Sequence, residues 1–545
     1  MKRNILKIMA AILVAALLLS GCAGFGNWLQ GVADRLNTGI VVPFSDMEYT
    51  RPDLTAFRVR LEKCCTMSQT TTDVEGLMIE VWQFFTLYHE IYTNYMLANI
   101  HYCKDMTDIY WSGEYSYCLG IISEVDAGMD QLLYTLAACP LKAQLETEDY
   151  FGAGYFDGYQ GESVWNEEFT ALAQQEAALL EQYYDLSSQA AGEMNYTPAF
   201  FDKYAQPLCQ IYVELVKVRQ QMAKAAGYED FASFAYECYY YRDYTPAQTE
   251  NYLKQIQLQL VPLYGRMPES LWDAENTACS QQQTYDYVKE LAENAGGTVK
   301  EAFDVMAAGE LYDIAPGKNK YNASFEMYLS AYYEPYIFMN PTLTAYDQLT
   351  FAHEFGHFCN DYASGGSIVG VDVTEVFSQS MEYMSLLYVE QGKALTTMKL
   401  ADSLRVYVEQ SAYASFEQQV YALEGEALTT ENVFALYARV GAACGFDLPG
   451  WDKRDFVTVP HFFTNPLYII SYVVSNDAAM QIYAKELSEK GAGLALLEEN
   501  FTTEEVSFLA FAESAGLESP FAPGRVEAVR DLFADQLQLR TLLAA

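Results

Sequence analysis

One seven-residue stretch, Phe351-Ala352-His353-Glu354-Phe355-Gly356-His357, limits what this chain can build around it. Two histidines four apart face the same way on an α-helix, where positions i and i+4 share a face. Asp347-Gln348-Leu349-Thr350 leads in without a breaker, and no proline follows until far beyond. The spacing therefore predicts a helix with both imidazoles on one side. Two neutral imidazoles so placed can occupy two corners of a tetrahedral zinc site. Glu354, one step round from His353, is placed to take a proton from water at such a metal, as in zinc hydrolases.

A catalytic zinc takes three protein ligands and leaves one position for water, whereas a structural zinc takes four. The next helical run, Thr374 to Tyr383, follows a Gly365-Gly366 turn that can reverse the chain. The distance from His357 to Glu375 leaves room for one helix to finish and a second to present a carboxylate as third ligand. Glu382 lies two turns further along the same face, where it can accept the other ring N–H of a ligand imidazole. The chain has five histidines. His89 and His101 lack acidic or histidine partners at ligand spacing and read as packing or surface residues.

These stretches, with others, resemble the thimet oligopeptidase and oligoendopeptidase F family of zinc metallopeptidases. The resemblance is carried by HEFGH, by Thr374-Glu375-Val376-Phe377-Ser378-Gln379-Ser380-Met381-Glu382-Tyr383, and by Pro460-His461-Phe462-Phe463-Thr464-Asn465-Pro466-Leu467-Tyr468-Ile469-Ile470-Ser471-Tyr472. Gly227 to Phe231, Arg242-Asp243-Tyr244-Thr245-Pro246, Pro316-Gly317-Lys318, Glu334 to Asn340 and Phe508 to Leu517 agree with it. It covers roughly residues 200 to 540. Three positions depart from the family pattern: Asn360 and Ile470 stand where a histidine and a tyrosine are frequent, and Phe377 where proline or alanine is. The resemblance implies a mainly α protein of two lobes, with a deep central channel and the zinc at its floor. It also implies that His461 and a nearby tyrosine stabilise the oxyanion. Tyr472 is favoured by register and Tyr468 is second, the two being four apart and so on one helical face.

Residues 309 to 345 change character. A Pro316-Gly317-Lys318-Asn319 turn precedes a run rich in aromatic and β-branched residues, which reads as a small antiparallel β element beside the zinc helix. An exposed edge there could bind a peptide by strand addition. The resemblance favours that role, with Tyr336-Ile337-Phe338-Met339 as the candidate substrate edge.

At the start, Lys2, Arg3 and Lys7 precede an apolar run, Ile8 to Leu19, that is short for a membrane span. Leu19-Ser20-Gly21-Cys22 looks like a bacterial lipoprotein cleavage box. Residues 1–21 thus read as a signal peptide and 22–46 as a lipidated Cys22 with its tether. Residues 47–300 read as an N-terminal helical lobe and 301–545 as the zinc-binding catalytic region. More than 500 mature residues exceed one ordinary core, hence two lobes. The formal net charge of −41 opposes nucleic acid, whose phosphates would be repelled, and opposes a basic membrane patch. The membrane contact is thereby left to the lipid. The remaining cysteines lack repeated spacing and read as mostly buried small apolar residues.

The expectation is a zinc endopeptidase, with one Zn2+ per chain, cutting short unfolded peptides at the bacterial cell envelope. His353, His357 and Glu375 hold the metal, Glu354 is the base, and Glu382 supports a ligand. Alternatives are a dipeptidyl carboxypeptidase-type exopeptidase and a catalytically weak peptide-binding lipoprotein.

Overall fold

The computed structural model describes residues 41–539, apart from 148, 162, 192–196, 273–275, 367–369, 447–450 and 502–505. Residues 1–21, expected to be a signal peptide, and Cys22 lie outside the described residues. The fold is mostly helical with one small sheet.

The first helices are α1 (Leu54–Thr70), α2 (Val74–Lys104) and α3 (Ile109–Ala137). Each starts at an aspartate, Asp53, Asp73 or Asp108, whose carboxylate accepts backbone N–H groups of the first turn. They enclose a core of their own around Phe57, Leu77, Val81, Phe84, Val125, Leu132 and Phe156.

Next come α4 (Glu167–Ala191), α5 (Pro198–Ala225), α6 (Pro246–Gln259), α7 (Gln281–Ala295) and α8 (Gly297–Ala308). The N-termini of α6 and α7 carry reciprocal capping boxes, Thr245 with Gln248 and Ser280 with Gln283. The strands are β1 (Tyr312–Asp313), β2 (Ser324–Leu329) and β3 (Glu334–Met339). Helices α9 (Tyr346–Ser364), α10 (Val371–Tyr388), α11 (Gly392–Arg405), α12 (Ser411–Tyr421), α13 (Thr430–Ala443) and α14 (Ile470–Ser488) follow, then three shorter ones.

A second, larger core takes residues from Phe169 to Leu539. It also takes Leu97, Ile100 and Cys103 from α2, which joins the two cores. The boundary expected at 300 finds no counterpart in this packing. Leu291 on α7 and Phe303 on α8 share the core of Phe355 on α9, and the division between cores falls near residue 160. The tether expected to reach residue 46 joins the fold earlier. Val41, Val42 and Phe44 pack on the larger core, and Phe44 donates its N–H to the Gly309 carbonyl at 2.9 Å.

The sheet contains the expected antiparallel pair and corrects one expectation. Its order is β1-β3-β2: β2 and β3 form the antiparallel hairpin, and the two-residue β1 adds a parallel strand on the other side of β3. Tyr336, Ile337, Phe338 and Met339 form its central strand, not an edge. Ile337 and Phe338 pair with β1, and all four pair with β2. All six residues of β3 are buried. A continuous apolar run is what a strand covered on both faces requires, whereas an edge strand must be made tolerant of water. Pro335 is accommodated because β1 ends before reaching it.

The ten described cysteines are free, eight of them buried. No helix among the described residues is long and apolar enough to cross a membrane.

Candidate metal centre and active site

Helices α9 and α10 meet almost backbone to backbone at Gly356. A Cβ there would stand 2.6 Å from Cα of Ser378 and 2.8 Å from the carbonyl oxygen of Phe377. Glycine inside a helix costs about 1 kcal/mol against alanine, so it needs a packing reason. Here the reason is the crossing that carries Glu375 up to the two histidines. Helix α9 ends at Gly365, in the left-handed conformation at φ 76°, with its N–H on the Asp361 carbonyl.

One donor atom from each of His353, His357 and Glu375 lies within 4.8 Å of the others. Oε2 of Glu375 is 3.3 Å from Nε2 of His353 and 3.8 Å from Nε2 of His357. Donors about 2.1 Å from one tetrahedral zinc stand about 3.4 Å apart, close to both carboxylate–imidazole separations, so these residues fit the ion. Two imidazoles and one carboxylate form an open ligand set that leaves room for water.

The electrostatics agree with this fit. Burial favours the neutral form of Glu375, but the His353 hydrogen bond, the charges of both histidines and the Tyr468 hydroxyl outweigh it. The carboxyl is brought down to about 2. Burial depresses His357 to about 4, which keeps it the neutral imidazole that ligation requires. Burial also pushes His353 down, yet its hydrogen bonds to Glu375 and Glu382 hold it well above its usual range. The two carboxylates thus favour positive charge at His353.

Glu382 takes the expected place. Its Oε1 lies 2.9 Å from Nδ1 of His353, which turns Nε2 toward Glu375. Its other oxygen meets Nζ of the buried Lys399 at 2.8 Å. Burial alone would raise Glu382, but the Lys399 charge holds it low and ionised. Glu375 is steadied by two hydroxyls: Tyr468 donates to Oε1 at 2.6 Å and Ser378 to Oε2 at 3.1 Å.

Glu354 is 5% exposed. Burial pushes its carboxyl up to about 7, against the opposing His353 charge. The Ser324 side chain on β2 lies close by and also opposes the rise. An acid poised near neutrality beside a ligand set is suited to accepting and returning a proton.

Across from the ligands, His461 opens a short helix, His461–Thr464, and Tyr472 lies in the first turn of α14. Tyr468 lies in the turn before α14, so the two tyrosines do not share a helix face as their spacing predicted. They still converge, with ring centroids 5.5 Å apart. Tyr472 Oη and His461 Nε2 are 3.0 Å apart. Burial holds both phenols well above their usual range, so each keeps its proton as a donor. Tyr468 uses its proton on Glu375, which leaves Tyr472 and His461 as the pair able to face a reacting carbonyl. Ile470 is a buried core residue. Tyr336 packs against Phe44 with ring centroids 4.1 Å apart and a 31° tilt, and its strand is enclosed.

The sequence reading did not single out Gly356, Ser324 or Lys399. A glycine in mid-helix was a usable signal for the first. Nothing in the sequence pairs Lys399 with Glu382 or Ser324 with Glu354.

An open ligand set with a buried acid beside it, at the heart of a helical fold, supports a metallopeptidase. Residues 44–162 match the family model of the peptidase M3 N-terminal domain. An X-ray structure described as an oligoendopeptidase F shares the fold with a TM-score of 0.80 at 21% identity, covering 91% of this chain and 99% of that one. PZ peptidase A with an inhibitor does so at 0.80 and 20%, over 91% and 99%. A chain described as an oligoendopeptidase F from Bacillus anthracis strain Ames does so at 0.76 and 20%, over 91% and 98%. No curated protein sequence matches the chain. The matched segment supports the M3 peptidase family, in agreement with the resemblance of the motifs, and the solved structures share the fold.

Proposed function

We propose that this chain is a zinc-dependent oligoendopeptidase that hydrolyses short, unfolded peptides at the cell envelope. The observation that carries the reading is the convergence of His353, His357 and Glu375 beside the buried Glu354. When bound there, zinc supplies Lewis acidity for the carbonyl and for water as nucleophile. Glu354 takes the proton of the attacking water and returns it to the leaving amine. Glu382 fixes the ring of His353, while Tyr468 and Ser378 fix the carboxylate of Glu375. Tyr472, paired with His461, donates to the oxygen on which charge develops.

With β3 enclosed, β2 is the strand suited to hold an extended peptide, because it is an edge of the sheet and begins at Ser324, near Glu354. The channel implied by the resemblance would admit flexible chains and refuse folded domains. The Leu19-Ser20-Gly21-Cys22 box supports a lipid on Cys22. Cys22→Ser should then take up no lipid label, and label on that variant would refute the anchor.

The central experiment incubates the purified chain with a mixture of random peptides of about five to twenty residues, a length that spans a few tens of ångströms when extended. Mass spectrometry should find internal cleavages that stop on chelation and return with zinc. Cleavage that persists without metal would sink the reading.

A further inference from the structure

Arg242-Asp243-Tyr244 belongs to a segment shared with the family pattern, yet Arg242 touches neither the ligands nor the base. Its side chain, 0% exposed, bridges the two sides of the site instead. Nε lies 3.3 Å from Oδ2 of Asp372, three residues before Glu375 on α10. One terminal nitrogen donates to the Leu467 carbonyl at 3.0 Å and the other to Oγ of Ser471 at 2.9 Å. Ser471 in turn donates to Asp372, and Tyr244 donates to the same carboxylate at 2.7 Å. Tyr240, whose ring lies 4.4 Å from the guanidinium, donates to the Pro466 carbonyl at 2.6 Å.

The grip falls on a strained residue. Leu467 has φ 63°, a conformation that side chains other than glycine's disfavour. Its carbonyl is held by Arg242, and its N–H donates to Oε1 of Glu417 at 2.9 Å. The next residue is Tyr468, whose hydroxyl meets Glu375. Ser471, the other contact of Arg242, directly precedes Tyr472.

We propose that Arg242 is a positioning residue: it locks the turn bearing Tyr468 and Tyr472 to the ligand helix through Asp372, and so sets both hydroxyls in register with Glu375 and His461. The inference rests on the peptidase reading of the site. Arginine is required because its planar fork reaches a carboxylate, a carbonyl and a hydroxyl together, whereas lysine is a point charge. Arg242→Lys keeps a buried positive charge beside Asp372, so the loss of the fork is expected to show in geometry more than in melting temperature.

The test is Arg242→Lys in the zinc-loaded full chain, made alone and in the Tyr468→Phe/Tyr472→Phe background. Alone, it should lower kcat about tenfold to a hundredfold, the scale of a small misplacement of catalytic groups, with KM and zinc content little changed. In the double-phenylalanine background it should change kcat by less than about twofold, because coupled residues are not additive. In metal-free protein, hydrogen exchange should quicken at the amides of residues 467–472 and stay unchanged over Leu54–Ala137. Equal losses in both backgrounds, or unchanged kcat with unchanged exchange, would overturn the proposal. Should Arg242→Lys fail to fold, Asp372→Asn, of the same shape, decides by the same readouts. If the wild type cleaves no peptide, the peptidase reading falls, while the exchange measurement still judges the clamp.

Discussion

On one side of the candidate site every ligand atom comes from two helices that touch at Gly356. On the other side His461, Tyr468 and Tyr472 come from a turn and two helix starts, held by side chains far away in the chain. The ligand side owes its shape to helical periodicity and one close crossing. The tyrosine side owes its shape to buried donors. Arg219 reaches the carbonyls of Phe462 and Phe463, Tyr240 that of Pro466 and Arg242 that of Leu467. On the proposed function, the difference predicts that metal binding and rate can be lost separately, since separate interactions maintain the two sides.

The largest expected effect breaks the ligand side. Glu375→Ala removes one ligand and should lose most of its zinc and its turnover. Glu354→Gln keeps all three ligands and should keep zinc, yet lose about 10²- to 10⁴-fold in turnover, since an amide cannot accept the proton. Elemental analysis beside a peptide assay checks both. Wild-type turnover in Glu354→Gln would remove the base from the mechanism.

The next effect sharpens the contrast between the tyrosines. Tyr472→Phe should lower turnover about 10²- to 10³-fold with zinc affinity and KM nearly intact, as for a lost oxyanion donor. Tyr468→Phe frees Oε1 of Glu375 from its hydroxyl, so its first effect should be weaker zinc retention in chelator competition. The opposite pattern would exchange the two roles.

The smallest effect concerns Glu417, the acceptor behind Leu467. Burial pushes its carboxyl up to about 8, with the Leu467 N–H and the facing charges of Arg219 and Arg242 opposing. A folded value above the ordinary 4.5 means the native state holds the proton more tightly. Its stabilising contribution is therefore full below about pH 4.5 and is lost as pH rises through about 8. Glu417→Gln keeps an oxygen for the Leu467 N–H and has no proton to lose. Its melting temperature should gain on the wild type's between pH 5 and pH 8. Parallel curves over that range would place the pH dependence elsewhere.

Local sequence signals were legible where one element determines the outcome. The spacing of His353 and His357 gave the helix and its ligand face, and Gly365-Gly366 gave its end. The position of Glu382 two turns after Glu375 gave the support for His353. Signals that depend on a partner were misread or silent. The run Tyr336 to Met339 reads as an edge only through the resemblance, and its lack of polar positions argues for an enclosed strand.

The sequence by itself thus determined the shared helical face of His353 and His357, the candidate acids Glu354, Glu375 and Glu382, and the helical class, because helical periodicity places residues three, four and seven apart without help from the rest of the chain. Tertiary structure alone decided that β3 is central, that α9 and α10 touch at Gly356, and that Lys399 answers Glu382. It also decided that Arg242 ties Tyr468 and Tyr472 to the ligand helix. These depend on which distant elements lie side by side, and a buried polar group finds its partner through packing, not through spacing along the chain.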